Sequence, residues 1–321
     1  MRTFVPGVRT LVLICVFIFS TSRSFSQSIT TPNGKIEIGL GLGPMFFVGD
    51  LGGNYGVGTT FVKDVNLPLT KLSKGLFLNA YPAEFLGFRL ALNQSIIEGN
   101  DAIIKAKGGE EIFRKQRNLE FRSNIWEIYG AAEFYPTVFF EQYEGLAGKL
   151  RPYGVIGVGV FHFNPQARYY SGPNSYDWVN LQPLRLEGQG MAEYPERKQY
   201  SLTQLHIPMG FGFKYYLKDN FYIGFEILHR KTFTDYIDNV SKTYIDNNLF
   251  AKYLTPAQTK MANQLYYRQF FDPNQPGLTR PPTDPQRGNP KQNDAFFSSI
   301  LRCGWRLNHG EVSYMRCPSF Y

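Results

Sequence analysis

The histidines and the acidic residues near them are the side chains here that could catalyse a reaction or hold a metal. No His-Glu-x-x-His motif occurs, and the spacing of the histidines does not build a zinc site. Asp235 and Asp238 could form an acid pair or part of a calcium ligand set. Because no further acidic ligands follow at fixed spacing, a structural role in a turn is the favoured interpretation. His229 and Asp235 lie near one predicted strand end and are the one pair to test. We expect no enzymatic activity, cofactor or metal.

The N-terminus predicts export through the Sec pathway. Arg2 and Arg9 are followed by a nine-residue apolar run at 11–19 and by the small-x-small triplet Ser24-Phe25-Ser26. This order is typical of a signal peptide, and the run is too short to span a bilayer as a helix. A lipoprotein signal at Cys15 is disfavoured because Ile14 precedes it where a small residue is needed. An uncleaved anchor is the remaining alternative. We expect a signal peptide at 1–26.

Composition favours an outer-membrane protein with membrane-spanning strands. After residue 26 no apolar run is long enough for a transmembrane helix. The chain is nevertheless 16% aromatic, has 31 glycines, and has a mean hydropathy of −0.27. Strands that alternate apolar and polar residues produce this combination. Removal of the signal peptide leaves 31 basic and 26 acidic residues without a basic motif, so we expect no nucleic-acid partner.

Eight segments alternate apolar with polar or small residues, as strands do. The clearest is 201–217, where Leu205, Ile207, Met209, Phe211, Phe213 and Tyr215 share one face. Most segments have the length that a tilted strand needs to cross a bilayer, and aromatic residues gather at their ends. The pattern predicts an all-β fold, an eight-stranded antiparallel transmembrane barrel; a secreted lipocalin-like barrel is the alternative. The eight segments are 35–48, 76–85, 86–98, 123–134, 151–163, 201–217, 221–232 and 295–307.

The connections predict short periplasmic turns and long outer loops. Long links lie at 49–75, 99–122, 164–200 and 233–294. Because outer-membrane barrels place their short turns in the periplasm, both chain ends are expected there. The last long loop contains a predicted helix at 255–268, followed by a proline-rich stretch without secondary structure. The barrel is expected to occupy 27–307 and a periplasmic tail 308–321.

Charged residues on the polar faces of the strands would lie inside the barrel. An eight-stranded barrel is just wide enough to be filled by its own side chains, and an unpaired charge there would cost several kcal/mol. Four acids and six bases can pair with one another, which predicts an ionic plug rather than an open pore. The ten residues are Lys35, Glu37, Arg89, Glu127, Glu133, Lys214, Glu226, Arg230, Arg302 and Arg306.

The cysteines suggest a covalent partner. Cys15 leaves with the signal peptide, Cys303 shares a face with Leu301 and Trp305, and Cys317 lies in the tail. Because a spare thiol in an oxidising compartment favours pairing, we expect an intermolecular disulfide from Cys317 to a periplasmic protein. A bridge between Cys303 and Cys317 is the alternative.

Several blocks of sequence resemble one family of outer-membrane barrels from Bacteroidetes. They are the Gly-Asp-Leu-Gly-Gly motif at 49–53, the blocks 221–226 and 230–241, Arg-Gly-Asn-Pro at 287–290 with Asn293-Asp294, and the Cys317-Pro318 tail. The chain resembles the PorG-like proteins of the type IX secretion system, also labelled DUF6089. The family loop motif maps to Asp50, Asp235, Tyr236 and Asp238.

The resemblance implies an accessory protein of the secretion machine, not its translocation pore. It implies outer-membrane lipid, a periplasmic ring lipoprotein (PorK-like) and that lipoprotein's partner (PorN-like) as contacts, with no small-molecule substrate. Two other classes of function stay open. One is an outer-membrane enzyme of the protease or acyltransferase type, and the other is a surface barrel for ligand binding or adhesion.

Overall fold

The strands are the dominant elements of the chain. A computed structural model describes residues 36–52, 67–104, 111–140, 145–172, 175–268 and 286–307. The ten strands of the described residues are β1 (Ile36–Val48), β2 (Lys71–Ala83), β3 (Leu86–Asn100), β4 (Glu120–Phe134), β5 (Leu150–His162), β6 (Pro165–Gly172), β7 (Ser175–Asn180), β8 (Thr203–Lys218), β9 (Phe221–Thr232) and β10 (Ala295–Leu307).

Eight of these strands close into an antiparallel barrel. The hydrogen-bonded order is β3-β2-β1-β10-β9-β8-β5-β4, and the pairing of β3 with β4 completes the circle. The first and last barrel strands meet directly, with Ile36 opposite Leu307. A closed barrel leaves no unpaired strand edge, which is what the hydrocarbon layer requires. The predicted eight-stranded barrel is confirmed.

The two faces of the barrel wall have opposite chemistry. Outward-facing apolar residues are strongly exposed, for example Leu76 at 57% and Leu301 at 67%. Inward-facing charged residues such as Glu37 and Arg230 are fully buried. Such an arrangement places the greasy surface in lipid, whereas a soluble barrel has its apolar residues at the centre. The molecule is therefore an outer-membrane type of barrel, and the lipocalin-like alternative is wrong.

The observed strands match the predicted segments closely except at the start of β2. This strand begins at Lys71, five residues before the predicted start at 76. The exposed Lys74 interrupts the apolar alternation because it lies at the outer rim, where the outward face leaves the hydrocarbon. The rim position accounts for the difference.

The prediction that the aromatic residues at the strand ends face the membrane interface is only half right. In the pairs Phe134-Tyr135, Tyr215-Tyr216 and Phe221-Tyr222, one ring faces outward, but Tyr135, Tyr216 and Tyr222 are buried inside the barrel. Neighbouring residues on a strand point to opposite faces, so two consecutive aromatics cannot both face lipid. The inner tyrosines belong to the lumen.

The segment 164–200, predicted as a loop, contains a hairpin. Strand β6 pairs with β7 and, through Arg122 opposite Gln166, continues the upper part of β4. The hairpin was missed because its strands are short and alternate polar with aromatic residues instead of apolar ones. It extends the barrel wall on the outer side, above the hydrocarbon layer.

The described parts of the outer loops contain three α-helices. They are α1 (Glu111–Arg117), α2 (Leu249–Tyr253) and α3 (Pro256–Tyr266). The predicted helix at 255–268 is confirmed: Thr255 caps α3 and exchanges hydrogen bonds with Gln258 in a capping box. Within the described parts of the chain, no helix has the length and apolar character needed to cross a membrane.

Candidate functional site: a filled lumen beneath a carboxylate cap

The charged residues predicted for the interior converge in the lumen. Lys35 lies outside the described residues; the other nine are buried and face the barrel axis. They are Glu37, Arg89, Glu127, Glu133, Lys214, Glu226, Arg230, Arg302 and Arg306.

The inner end of the lumen is organised around Lys214. Its ammonium group donates to Glu37 Oε1 at 2.8 Å and to Tyr81 Oη at 2.7 Å, and it lies 3.3 Å from Glu133 Oε2. The hydroxyl of Tyr222 donates to Glu37 Oε1 at 2.6 Å, and the ammonium lies 4.6 Å from the centre of the Tyr222 ring. Lys214 is thus surrounded by two carboxylates and by aromatic faces that favour a cation.

Two guanidiniums share two carboxylates in the middle of the lumen. Arg89 binds Glu226 through both terminal nitrogens, at 3.0 and 2.7 Å, and also donates to Glu133. Arg302 donates to Glu226 Oε2 at 2.8 Å and stacks 3.7 Å from the centre of the Phe77 ring. Bidentate, charge-assisted bonds of this kind are the strongest side-chain hydrogen bonds.

A third ion pair closes the outer end of the lumen. Arg230 donates to Glu127 at 2.6 and 3.2 Å, and Asn93 donates to the same carboxylate at 2.7 Å. Arg230 also donates to the hydroxyl of Ser298. His206 lies 3.7 Å from Glu127 Oε2 and is fully buried among aromatic rings. Three layers of ion pairs therefore run along the barrel axis.

Sequence reasoning missed part of the network. Arg151 donates to Glu84 Oε2 at 2.6 Å at the inner mouth, and Arg306 lies 3.6 Å from Glu84 Oε1. Glu84 was not predicted because it lies in the turn between β2 and β3. Arg151 was not predicted because the glycines of β5 weaken the alternation of that strand. Five of the six lumen-facing tyrosines were also missed, because Tyr135, Tyr216 and Tyr222 were assigned to the lipid interface and Tyr81 and Tyr153 were assigned no face. The six are Tyr81, Tyr129, Tyr135, Tyr153, Tyr216 and Tyr222.

Above the lumen, the outer loops form a second polar region, which we call the cap. It contains the acidic residues Asp50, Asp101, Glu187, Asp235, Asp238 and Asp294 together with Arg117 and Arg287. All of them except Asp50 are buried. Its carboxylates bind mainly backbone N–H groups of other loops. Leu51 N donates to Asp238 Oδ2 at 3.0 Å, and Gly52 N donates to Asp101 Oδ1 at 3.1 Å. Each such bond ties two loops together.

Glu187 and Arg287 fasten the two longest loops to each other. Ser241 N and Lys242 N each donate to the Glu187 carboxylate at 3.0 Å, and Arg287 donates to it at 2.9 Å. Arg287 also donates to the carbonyl of Asn239 at 2.6 Å. Asn239 has φ +63°, a left-handed conformation that asparagine adopts more readily than most residues. The backbone turn there exposes its carbonyl to Arg287.

Four cap acids, Asp50, Asp235, Asp238 and Asp294, form no ion pair with the described residues, whereas Asp101 and Glu187 do. Burial raises the pKa of Asp50 from 3.8 to about 6, and burial with nearby acids raises the pKa of Asp235 to about 9. The pKa of Asp294 is also raised well above its usual value by burial and by the charge of Asp238. Ile237 N donates to Asp294 Oδ2 at 2.8 Å, and Asn289 N donates to Asp50 Oδ2 at 2.7 Å. At neutral pH the cap therefore holds protons on part of its acids.

The family loop motif lies in the cap, but the suggested catalytic pair does not form. Tyr236 stacks on Tyr200 with 4.7 Å between ring centres. His229 lies on the outward face of β9, opposite Phe297 and Met209, whereas Asp235 is buried in the cap. Across the described ranges, no group of three or more His, Cys, Asp or Glu residues is arranged to hold a metal ion.

Of the two cysteines considered as disulfide partners, the structure describes only Cys303. Cys303 is a free cysteine on the outward face of β10, opposite Leu40. Cys317 lies outside the described residues.

A family model of a domain of unknown function, DUF6089, matches residues 10–254. The chain belongs to the DUF6089 family. This match covers most of the barrel and the cap segments Asp50 and 234–242. No sequence among curated proteins matches this DUF6089 protein.

Several solved outer-membrane barrels are similar to this DUF6089 chain. A major outer membrane protein from Thermus thermophilus is 10% identical with a TM-score of 0.36, covering 85% of this chain and 99% of that one. Neisserial surface protein A is 8% identical with a TM-score of 0.36, covering 85% and 97%. The N-terminal β-barrel domain of Pseudomonas aeruginosa OprF is 10% identical with a TM-score of 0.30, covering 85% and 98%. The strand pairing, not these distant likenesses, establishes the fold.

Proposed function

We propose that this protein is a non-enzymatic, PorG-like outer-membrane component of the type IX secretion machinery, exported through Sec. Its role would be to anchor or organise the periplasmic ring formed by a PorK-like lipoprotein and its PorN-like partner. The observation that carries the proposal is the filled lumen. A barrel whose axis is occupied by three layers of ion pairs suits an anchor better than a conduit.

The cap supports an anchoring role in a second way. Asp50, Asp238 and Arg287 come from blocks that carry the family resemblance, and their hydrogen bonds hold the outer loops together. Outer loops that are held together in this way are expected in a rigid membrane anchor. They are not expected in a barrel whose loops open to admit a substrate. The separation of His229 from Asp235 removes the one catalytic pair that the sequence suggested.

Attachment to the ring would use the tail after β10. Strands β1 and β10 meet at the short-turn end, with Ile36 opposite Leu307, so β10 ends on the periplasmic side of the barrel. Cys317 follows this end in the sequence and would be available to a periplasmic protein. Cys303 faces lipid in the middle of β10 and is badly placed for such a partner.

The experiment is affinity purification of the native protein from membranes under non-reducing conditions, with Cys317→Ser and Cys303→Ser as a matched pair. We expect a high-mass band that contains a periplasmic lipoprotein and that reduction releases. The Cys317→Ser protein should lose the band and the Cys303→Ser protein should keep it. If no band depends on Cys317, the tether is wrong. If the captured protein is unrelated to a secretion ring, the assignment to the secretion machinery is wrong.

A further inference from the structure

The β6–β7 hairpin presents an outward face that continues the lipid-facing surface of β4. On β4, the outward side chains run upward from Phe134 through Ile128 and Trp126 to Asn124 and Arg122. Arg122 lies opposite Gln166 of β6, so the same face passes onto the hairpin. The opposite face, with Ala167 and Tyr169, is buried in the core beneath the loops.

The height of this face places it next to lipid headgroups. Four residues of strand separate Trp126 from Arg122, about 13 Å along the strand and about 10 Å along the membrane normal at the usual tilt. The polar pair Gln94–Asn124, with Nε2 donating to Oδ1, lies between them and marks the end of the hydrocarbon surface. Arg122 and the hairpin above it are therefore level with the outer-leaflet headgroups.

The composition of the face suits a phosphorylated sugar. It carries two guanidiniums and three aromatic rings, and the carboxylate of Glu120 beside it is buried and pairs with Arg168. The residues of the face are Arg122, Gln166, Arg168, Tyr170, Tyr176, Trp178 and Asn180. The Arg122 guanidinium lies 4.1 Å from the centre of the Trp178 ring, and Arg168 lies 5.6 Å from that of Tyr176. Tyr176 is 48% exposed. Guanidiniums bind phosphate in a fork geometry, and aromatic rings form flat platforms for sugar rings.

Arg122 is held in place but not neutralised. The guanidinium of Arg122 stacks on the ring of Trp178. It forms no hydrogen bond and no ion pair with the described residues. Glu98, its cross-strand neighbour, instead binds Lys71 at 3.0 Å. Arg168 shares the carboxylate of Glu120 with Arg268, so two guanidiniums face one acid there. The face keeps a surplus of positive charge beside the membrane.

We propose that this outward face binds a phosphorylated glycolipid of the outer leaflet, a lipid A type of headgroup. Arg122 contacts a phosphate, Trp178 fixes the orientation of Arg122, and Tyr176 and Tyr170 contact the sugars. The occupant is a membrane lipid because the face continues without interruption from the hydrocarbon-facing residues of β4.

Native mass spectrometry of the detergent-purified protein tests the proposal, with diphosphoryl lipid A as the probe. Loss of one charge-assisted hydrogen bond predicts about tenfold weaker lipid retention in Arg122→Ala. Trp178→Leu should also weaken retention, by a smaller factor. Lys218→Ala is the control. It removes one exposed positive charge at the periplasmic end of β8, on the other side of the membrane from the hairpin, and this variant should bind the lipid like the unchanged protein.

Three results would overturn the proposal. The first is equal retention by the unchanged protein and both hairpin variants. The second is an equal loss in Lys218→Ala, which would mean non-specific charge attraction. The third is displacement of the lipid by an equal concentration of inorganic phosphate, which would mean a site for free anions.

Lipid A without phosphates should show no difference between the unchanged protein and Arg122→Ala. Circular dichroism verifies folding, and Trp178→Leu keeps the test decisive if Arg122→Ala misfolds.

Discussion

The lumen and the cap both bury many acidic residues, but they satisfy them differently. In the lumen, acids and bases are nearly balanced, and ion pairs connect them. The acids are Glu37, Glu84, Glu127, Glu133 and Glu226, and the bases are Arg89, Arg151, Lys214, Arg230, Arg302 and Arg306. In the cap, only two of the six acids form ion pairs with the described residues: Asp101 pairs with Arg117, and Glu187 pairs with Arg287. Backbone N–H groups donate to carboxylate oxygens of Asp50, Asp238 and Asp294.

The difference follows from the surroundings of each region. The lumen is enclosed by a β-wall and lipid, where an uncompensated charge is very costly, so each acid needs a base. The cap lies outside the hydrocarbon, and its loops contain many backbone donors that need acceptors. Carboxylates can serve there as acceptors that cross-link loops, and excess charge is removed by proton uptake. The lumen stabilises the barrel, and the cap fixes the loops to each other.

Removing one lumen cation should have the largest effect. In Lys214→Met, the buried Glu37 and Glu133 lose a shared partner, which should cost about 3–5 kcal/mol of unfolding free energy. Urea unfolding in lipid vesicles, followed by tryptophan fluorescence, measures the loss. The matched control is Lys252→Met, whose ammonium pairs with Glu193 on the exposed surface of the outer loops. Equal stability of the two variants would mean that the lumen pairs contribute no more than a surface pair.

A defect in the cap should be smaller and should leave the barrel intact. A Cβ at Gly288 would collide with the Asp50 carboxylate and lie 2.7 Å from Ser241 N, so Gly288→Ala should destabilise the cap by about 1–3 kcal/mol. Limited proteolysis should cut the outer loops faster, while the urea midpoint of the barrel stays unchanged. Gly154→Ala is the control, because a Cβ there meets nothing within 4 Å. A shift of the barrel midpoint in Gly288→Ala would show that the two regions unfold together.

These two predictions also show what the sequence could and could not indicate. Alternation over long segments was sufficient for the barrel and for the inward position of residues such as Glu133 and Arg302. Alternation could not indicate which acid binds which base, since Arg89 and Glu226 come from strands far apart in the chain. The contacts of the cap were even harder to predict from the sequence. The family motif marked Asp50 and Asp238, but the hydrogen bond from Leu51 to Asp238 spans 187 residues and depends on loop conformations without a periodic pattern.

The cap should loosen as pH rises, and the lumen should not. The pKa of Asp235 is raised from 3.8 to about 9 in the folded protein, so the folded state holds more protons than the unfolded state between these values. The contribution of Asp235 to the stability of the cap is therefore largest below pH 4 and decreases towards pH 9. Hydrogen exchange, corrected for the intrinsic rate, should show protection of the Val240 and Ile237 amides falling several-fold from pH 5 to pH 9.

Asp235→Asn separates this explanation from a general effect of pH. The amide keeps the shape of the protonated acid and cannot ionise, so the pH dependence of the cap amides should become flatter. Amides within β8 serve as an internal control, because their carbonyl partners belong to the barrel ladder. If the variant and the unchanged protein lose protection in parallel, ionisation of Asp235 is not the cause.

The smallest expected effect is on ion flow, where we predict no measurable change when the protein enters a membrane. Ion pairs occupy the axis at the levels of Lys214, Arg89 and Arg230. The rings of Tyr81, Tyr135 and Tyr153 pack on one another around the Lys214 ammonium group. Planar-bilayer recordings of the pure protein should therefore lack stable, ion-selective steps. Glu127→Ala, which removes the partner of Arg230, serves as the comparison. Steady conductance from the unchanged protein would mean that water connects the layers, and the contrast between a closed lumen and a proton-regulated cap would disappear.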